Sequence, residues 1–256
     1  MEKYEMVGWI TARGGSRRLP RKNVKILLGK PMIAYAIEAC VGSKYISRTF
    51  VSTEDKEIKE ISLKYGAEVI DRPPELSEDD VPQHYANWHW HLELLKENYQ
   101  PDLIVATMPT MPMVTTRHVN EAIELYMKSK SMYLFAVCQT YNFPDHLMYI
   151  NDAGLLAFCF DRQRRAYWQR RFSATSHYNN KLKKDKEIYY GASLVNIVPY
   201  ITAVGPIGEE YVQPYIVSPI DAIDVNTLDD FRMAEYFMKE RIKKEKIEKE
   251  KENKGG

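Results

Sequence analysis

The chain has 256 residues, of which 45% are hydrophobic and 28% are charged, and its formal net charge is +1. This balance is typical of a folded globular protein and excludes a disordered tail or a strongly basic nucleic-acid coat. Cys40, Cys138 and Cys159 form no Cys-x-x-Cys pattern, so neither a disulfide framework nor a zinc ribbon is expected. No apolar run approaches the ~20 residues of a membrane helix, and no signal-peptide pattern opens the chain, so a cytoplasmic location is predicted.

Short apolar segments alternate with helical patterns through the first half of the chain. The first strand is predicted over residues 6–12, and a loop then leads to a helix over 31–39. Further strands are predicted at 49–52, 67–70, 103–106 and 133–137, and further helices at 55–65, 82–97 and 115–128. Alternating strands and helices favour parallel pairing, so the predicted fold class is α/β, with a doubly wound, mostly parallel sheet.

The regular alternation ends after Gln139. Residues 161–186 are polar and basic and include several aromatic residues, so a protruding segment is expected there. Strand character returns at 188–197 and briefly at 216–217, and a final helix is predicted from Leu228 to about Lys249. Because the end of this helix alternates Lys and Glu, residues 241–256 are interpreted as a charged helical tail.

A basic loop with two glycines follows the first predicted strand. It reads ARGGSRRLPRKN from Ala12 to Asn23. Gly14 and Gly15 allow backbone N–H groups to approach a phosphate, Ser16 adds a hydroxyl, and five cationic side chains supply positive charge. The loop matches neither a Walker motif nor a dinucleotide fingerprint. It predicts an anion-binding site, with a tight turn carrying a solvated basic edge as the alternative.

Four segments together resemble the CMP-sialic acid synthetase (acylneuraminate cytidylyltransferase) family. The basic loop and the following Gly29-Lys30-Pro31-Met32 resemble its N-terminal signature, and Val51-Ser52-Thr53-Glu54 stands where the family has Val-Ser-Thr-Asp. Residues 72–77 and 223–227 extend the similarity. The resemblance implies a Rossmann-like nucleotide-diphospho-sugar transferase fold over 1–240, with an inserted dimerisation and acceptor arm over about 140–187.

The activity implied by this resemblance is magnesium-dependent transfer of CMP from CTP to an acidic sugar, with release of pyrophosphate. The acceptor would be a sialic acid-like nonulosonic acid or 3-deoxy-octulosonic acid, and the enzyme a homodimer that binds neither nucleic acid nor membrane. Arg13, Arg17 and Lys22 are the implied catalytic residues, and Arg13→Ala is expected to reduce turnover while leaving the fold intact. The implied nucleotide contacts are Gly14, Gly15, Ser16, Asn23, Arg72, Val81 and Gln83. Asn23 and Arg72 would contact the cytosine, although Arg72 alone equally suits a structural ion pair.

Carboxylates before the final helix are the predicted magnesium ligands. Asp224 matches the first aspartate of the family's Asp-Ile-Asp metal motif, whereas Asn226 replaces the second. Asn226 offers a carbonyl oxygen without charge, and Asp221 lies three residues before Asp224, so all three are candidate ligands. Alternatively, Asn226 or Asn226-Thr227 caps the helix, which is compatible with metal binding by Asp224.

The predicted acceptor loop departs from the family pattern. The family reads Gln-Pro-Thr-Ser-Pro-Leu-Arg where this chain has Met108-Pro109-Thr110-Met111-Pro112-Met113-Val114. Met108, Met111 and Val114 thus remove polar groups that would orient a hydroxyl-rich sugar, so the acceptor is expected to differ from sialic acid. The candidate acceptor-binding residues are Met108, Thr110, Arg170, Arg171 and Tyr190.

Other functions remain open from the sequence. A sugar-1-phosphate nucleotidyltransferase shares a basic glycine-containing loop, and the methionine-rich acceptor loop suits a phosphonate or another small acidic acceptor. A non-enzymatic alternative is an RNA-binding module built on residues 162–186. His84 and His91 share one helix face, but no further ligand pattern accompanies them, so a zinc site is not expected.

Overall fold

The structure is a computed structural model of the chain. It describes residues 4–78, 80–82, 84–129, 131–140, 148–150, 156–158, 189–200 and 212–254. The chain divides into two compact units, one formed by residues 1–137 and 191–256 and the other by 138–190. The candidate site described below lies within the first unit. The predicted dimerisation arm falls mostly outside the described residues and stays a prediction.

The predicted alternation of strands and helices is present in the first unit. The strands described for the whole chain are β1 (Met6–Thr11), β2 (Ile26–Leu27), β3 (Lys30–Pro31), β4 (Ile46–Thr53), β5 (Glu68–Asp71), β6 (Leu103–Ala106), β7 (Tyr133–Gln139), β8 (Met148–Ile150), β9 (Leu156–Phe158), β10 (Tyr189–Pro199) and β11 (Val212–Val217), of which β8 and β9 lie in the second unit. The helices are α1 (Met32–Val41), α2 (Lys56–Lys64), α3 (His84–Lys96), α4 (Thr116–Lys128) and α5 (Leu228–Lys254). Short 3-10 turns cover Lys22–Val24 and Pro74–Ser77.

Seven of the described strands form one sheet in the order β11-β7-β10-β6-β1-β4-β5. Strand β1 pairs in parallel with both β4 and β6, β4 pairs in parallel with β5, and β10 pairs antiparallel with β6. The predicted α/β class with a mostly parallel sheet is therefore confirmed. The chain runs from β1 to β4 and β5, then places β6 on the other side of β1. Ligand sites in such sheets lie where the strand order reverses, at the carboxyl ends of the strands.

Element boundaries differ from the predicted ones mainly at the ends. Helix α5 continues to Lys254, and β11 begins at Val212, four residues before the predicted short strand. The ribbon formed by β2 and β3 was not predicted; its turn places Leu28 and Gly29 at φ values of 46° and 84°. A leucine in the left-handed region gives no sequence signal for a turn, because that conformation favours glycine or asparagine.

Two apolar clusters support the elements around the end of β1. In one, Trp9 of β1 stacks on Trp90 of α3 with ring centroids 4.2 Å apart, and Phe50 of β4 packs beside them. The other joins α5 to loop residues, and its members include Leu19, Met113, Val225, Phe231, Ala234 and Met238. Because Leu19 and Val225 lie outside regular elements, this second cluster fixes the position of loops as well as of helices.

Gly14, at the start of the basic loop, lies too close to the end of β4 for a side chain. A Cβ atom added there would come within 2.3 Å of Asp55 Oδ2 and 3.0 Å of Asp55 Cβ. The Gly14 N–H donates a hydrogen bond to Glu54 Oε1 at 2.7 Å. A Cβ atom added at Gly15, in contrast, would meet nothing within 4 Å. Only the first glycine of the pair is therefore required by packing.

We expect Gly14→Ala to destabilise the fold by about 1–3 kcal/mol, because the new methyl group must displace Asp55, which also caps α2 through the Ile58 N–H. Gly15→Ala is the matched control, with an expected change within about 0.5 kcal/mol. Urea unfolding monitored by circular dichroism measures both. Equal unfolding midpoints for the two variants would show that the close approach at Gly14 does not constrain the loop.

Candidate functional site

A cavity of about 500 Å³ opens beside the carboxyl ends of β1 and β6. Its wall is formed by the basic loop, the segment after β5, the loop after β6 and Asn226 of the loop before α5. The predicted site residues that line it are Arg13, Ser16, Arg17, Lys22, Asn23, Val81, Met108, Thr110 and Asn226. Residues far apart in the sequence are thus brought together at the reversal of strand order, where the topology favours a ligand site.

Four cationic side chains of the basic loop line the cavity: Arg13, Arg17, Arg18 and Lys22. Burial lowers the pKa of Lys22, and the charges of Arg18 and Arg13 lower it further, while Asp224 acts in the opposite direction. Burial is the largest cause of this shift, and only the contributions of Arg18 and Arg13 reflect repulsion between positive charges. An anion placed there would relieve that repulsion, so the cavity is suited to a multiply charged anion such as a polyphosphate.

The fifth cation of the basic loop does not belong to the cavity. Arg21 forms ion pairs with Asp55 and Glu57 at the start of α2. Its backbone is in the left-handed region, with φ of 55°. Arg21 therefore anchors the end of the loop, and the expectation that five cations serve the anion is corrected to four.

A half-buried carboxylate holds the basic loop from behind. Glu54 accepts hydrogen bonds from the Gly14 N–H at 2.7 Å, the Ser77 hydroxyl at 2.7 Å and the Arg72 guanidinium at 2.8 Å. Burial acts to raise the pKa of Glu54, but these three donors outweigh it and hold the pKa below its usual range. The carboxylate thus remains ionised and joins the loop to the segment after β5.

Two of the predicted nucleotide contacts have other roles in this arrangement. The Arg72 side chain is only 5% exposed, pairs with Glu54 and also donates to the Ala12 carbonyl at 3.3 Å. Arg72 is therefore the structural ion pair that the sequence left as an alternative, and it does not line the cavity. The Gly14 N–H is likewise directed to Glu54, where the sequence predicted a phosphate contact. Gln83 lies outside the described residues.

Asn23 lines the cavity and carries a buried hydrogen-bond acceptor. The residue is 5% exposed, and its Nδ2 donates to the Arg13 carbonyl at 3.0 Å. This bond fixes the orientation of the amide, because a carbonyl accepts only from the nitrogen. Within the described part of the chain, Asn23 Oδ1 has no hydrogen-bond partner. A ligand that donates a hydrogen bond would satisfy it.

Asn226 connects the cations to Asp224. Its Oδ1 accepts from Arg18 at 3.0 Å and from Lys22 at 3.1 Å, and its Nδ2 donates to Asp224 Oδ2 at 2.7 Å. Helix α5 is capped by the next residue instead: Thr227 Oγ1 accepts from the Asp230 N–H at 3.2 Å. The side chain of Asn226 is therefore left to the cavity, and the capping alternative applies to Thr227.

Of the three candidate metal ligands, Asp224 has an exposed carboxylate that acts on Lys22 electrostatically, although Asp224 is not among the residues that line the cavity. Asp221 is engaged elsewhere, because Arg241 pairs with its Oδ1 and Ser218 donates to its Oδ2 at 2.7 Å. Among the described residues, no group of three or more His, Cys, Asp or Glu side chains is arranged to hold a metal ion. A cation here would need most of its ligands from a bound substrate.

The predicted acceptor loop divides into two parts. Met108 and Thr110 line the cavity, whereas Met111 and Val114 are each only 3% exposed and pack in the core. The loss of polar groups at 111 and 114 therefore concerns packing, and only Met108 alters the cavity wall. Tyr190 lies in the second unit, and Arg170 and Arg171 lie outside the described residues.

Sequence reasoning missed several cavity residues. Arg18 was counted only among the charges of the loop, and Leu76, Ser77 and Glu78 were not chosen as contacts although they line the cavity. The available signal was that Leu76 and Ser77 belong to the family-like segment 72–77 and Glu78 follows it directly. The rings of His91 and Tyr200 pack against each other in a tilted arrangement, with their centroids 4.6 Å apart. This contact gives His91 a packing role. Within the described ranges, no helix combines the length and apolar character that a membrane span requires.

Comparison with known sequences finds one matching family model and several similar proteins. The sequence model of the family described as "Cytidylyltransferase" matches residues 7–196. N-acylneuraminate cytidylyltransferase A of Danio rerio is 35% identical over 134 residues, covering 52% of this chain and 30% of that protein. Pseudaminic acid cytidylyltransferase of Campylobacter jejuni is 34% identical over 157 residues, covering 60% of this chain and 66% of that protein. The chain thus aligns with less than two thirds of each relative's length, about one third in the first case.

Solved structures share the fold at much lower identity. A structure of CMP:2-keto-3-deoxy-manno-octonic acid synthetase complexed with CTP has a TM-score of 0.63 and 14% identity, covering 93% of this chain and 99% of that one. A 4-diphosphocytidyl-2C-methyl-D-erythritol synthase from Anaerococcus prevotii has a TM-score of 0.55 and 12% identity, covering 93% and 100%. At such identities the likeness establishes the fold alone.

The lowered pKa of Lys22 predicts a pH-dependent affinity for anions. Lys22 loses its proton below the usual lysine pKa of about 10.4, so affinity is full near neutral pH and falls as the pH rises through the lowered pKa. Calorimetric titration of inorganic triphosphate between about pH 7 and pH 10 measures this. Lys22→Arg stays charged throughout, so its profile reports the titration of triphosphate and of other groups, and the wild-type affinity should fall relative to it as the pH rises. An equal fall in both proteins would show that another group is responsible.

Proposed function

Since this chain belongs to the cytidylyltransferase family, we propose that it transfers CMP from CTP to an acidic sugar and releases pyrophosphate. The observation that carries the proposal is the cavity with four cationic side chains at the carboxyl end of β1. Relatives named for N-acylneuraminate and for pseudaminic acid support an acidic sugar as the acceptor. A homodimer and a cytoplasmic location belong to the same proposal.

The reaction requires one bond to form and one to break at the α-phosphate. An acceptor oxygen attacks this phosphorus in line and loses its proton, while the bond to the β-phosphate oxygen breaks and pyrophosphate leaves. Arg13, Arg17 and Lys22 are assigned to the triphosphate, where they stabilise the negative charge of the transition state. Asn226 orders the cationic side chains beforehand, because its Oδ1 accepts from both Arg18 and Lys22.

We assign base selection to Asn23. Its unpaired, buried Oδ1 is an acceptor suited to the exocyclic amino group of cytosine. Uracil carries a carbonyl oxygen at that position, so two acceptors would face each other and both would remain unsatisfied. Leu76 and Val81, which also line the cavity, offer apolar contacts for a planar base.

We propose that a magnesium ion acts together with CTP and is held by Asp224. The residues fit a magnesium ion with few protein ligands, because Asp224 supplies one exposed carboxylate and magnesium commonly takes its other ligands from phosphates and water. When bound, the ion would neutralise charge on the phosphates and favour departure of pyrophosphate. Asn226 orients Asp224 through its Nδ2 hydrogen bond, and Asp221 is excluded from this role by its own pairing with Arg241.

Pyrophosphate release with CTP and Mg²⁺ tests the reaction and the acceptor together. The acceptors to compare are sialic, pseudaminic, legionaminic and 3-deoxy-octulosonic acids, small phosphonates and sugar 1-phosphates. We expect release with at least one acidic sugar and loss of activity on chelation with EDTA. Arg13→Ala should lower kcat/KM by about 10²–10³-fold, because it removes a cation that stabilises developing charge. Arg232→Ala, in an exposed pair with Asp229, is the control and should retain activity.

The possible outcomes separate the parts of this proposal. Release with a phosphonate or a sugar 1-phosphate alone would contradict the acceptor class while leaving the nucleotide site intact. Failure of CTP to bind, measured by calorimetry, would contradict the proposed function as a whole. Activity that persists after chelation would remove the metal from the reaction.

We expect Asn23→Ala to lose the preference for CTP. The wild type should prefer CTP over UTP by about 10²-fold or more, because a buried acceptor left unpaired costs about 1–3 kcal/mol and the clash with uracil adds to it. In the variant, CTP affinity should fall and the two nucleotides should bind within about tenfold of each other. Calorimetry with CTP and UTP measures both values. A folded Asn23→Ala variant that retains the full preference would place base selection elsewhere.

A further inference from the structure

Helix α5 packs against three of the segments that build the cavity. Phe231, Ala234 and Met238 of α5 share one buried cluster with residues of these segments. The residues are Leu19 of the basic loop, Met113 of the loop after β6 and Val225 of the loop before α5. The apolar contacts hold the three segments against one rigid element, although they set no hydrogen-bonded register between them.

Arg241 adds a directional contact one turn beyond Met238. One guanidinium nitrogen donates to the Met113 carbonyl at 3.0 Å, and the other pairs with Asp221 Oδ1. Asp221 is held in turn by the Ser218 hydroxyl, and its side chain is only 15% exposed. A planar guanidinium is suited to bridging a carbonyl and a carboxylate at fixed angles. The loop after β6 and the loop before α5 are therefore joined through a single side chain of α5.

The same two loops also meet directly, since the Val225 N–H donates to the Thr110 carbonyl at 2.8 Å. Thr110 and Met108 line the cavity on one loop, and Asn226 lines it on the other. With Val225 bonded to Thr110 at one point and Arg241 bridging at a second, two contacts fix the loops against rotation as well as separation. Removal of the second contact would leave the two loops held by the Val225–Thr110 hydrogen bond and by the non-directional apolar contacts of the cluster, so their relative angle would be less well defined.

We propose that Arg241 is a positioning residue that sets the distance and angle between these two loops, and through them the placement of the acceptor against bound CTP. The inference rests on the proposed function for its kinetic consequence, but its structural consequence is independent of any substrate. Under this proposal, Arg241 would belong to the frame of the site, although it is the first residue of the predicted charged tail.

Hydrogen–deuterium exchange of the ligand-free protein tests the structural part. Arg241→Met keeps an apolar stem but removes the bridge, so peptides from 108–114 and 218–226 should exchange about tenfold faster, while those from β1 and β4 stay unchanged. Lys244→Met, an exposed change on the same helix, is the matched control and should leave exchange unaltered. A folded Arg241→Met protein with unchanged exchange in both loops would overturn the inference.

Steady-state kinetics tests the functional part. In Arg241→Met, the KM for the acceptor should rise about tenfold, and the Kd for CTP should rise clearly less, because the phosphate-binding cations lie on the basic loop and only their hydrogen bonds to Asn226 involve the displaced loop. Arg241→Lys, a point charge without the planar fork, should recover only part of the loss. Asp221→Ala should show at least the same effect, because it also loses the contacts of Asp221 with Ser218 and His118, and the double variant should add little to Asp221→Ala alone.

The outcomes distinguish this inference from the proposed function. Additive effects of Arg241→Met and Asp221→Ala would overturn the bridge, because independent roles add. A CTP affinity that falls in step with the acceptor KM would also overturn it, since that result indicates general destabilisation. Failure of the wild-type protein to bind CTP would end the proposed function, and the exchange experiment would then decide the bridge by itself.

Discussion

The ionised carboxylate of Glu54 is the interaction on which the geometry of the site depends. It stands at the end of β4 and accepts from Gly14 of the basic loop and from Ser77 and Arg72 of the segment after β5. Removing it would leave the Arg72 guanidinium buried without its partner, a change that commonly costs about 3–5 kcal/mol. Because Glu54 and Asp55 hold the loop from behind, Arg13, Arg17 and Lys22 remain on the side that lines the cavity.

The cavity collects four cationic side chains within one wall. Asn226 illustrates how this is tolerated: its amide oxygen accepts from Arg18 and Lys22 without adding a negative charge. An aspartate at this position would pair with the same cations and reduce the charge left for a polyphosphate, and it would also repel Asp224. The neutral amide therefore favours anion binding, while it leaves a cation with fewer protein ligands.

Local patterns predicted the fold and the chemistry of the basic loop, but long-range partners decided which residues serve it. Apolar runs and helical periodicity were sufficient for β1, β6 and α4, because burial of whole elements is encoded locally. Gly14 and Gly15 look alike in sequence, as do Arg18 and Arg21. Their roles differ because of partners about forty residues away: Glu54 accepts a hydrogen bond from Gly14. Asp55 and Glu57 form ion pairs with Arg21. Likewise, only burial distinguishes Met108, in the cavity wall, from Met111, in the core.

The spacing of buried residues along α5 predicts the position of Arg241, whereas the average composition of the helix does not. Its final third is rich in Lys and Glu, and that average favoured a solvated tail beginning at residue 241. The buried residues Phe231, Ala234 and Met238 follow a spacing of three and four, and the next position in that series is Arg241. A charged residue on a buried helix face needs either contact with solvent or polar partners. The Arg241 guanidinium has such partners in the Met113 carbonyl and the Asp221 carboxylate. Periodicity, which follows the geometry of the helix, therefore locates the inner boundary of the tail where average composition fails.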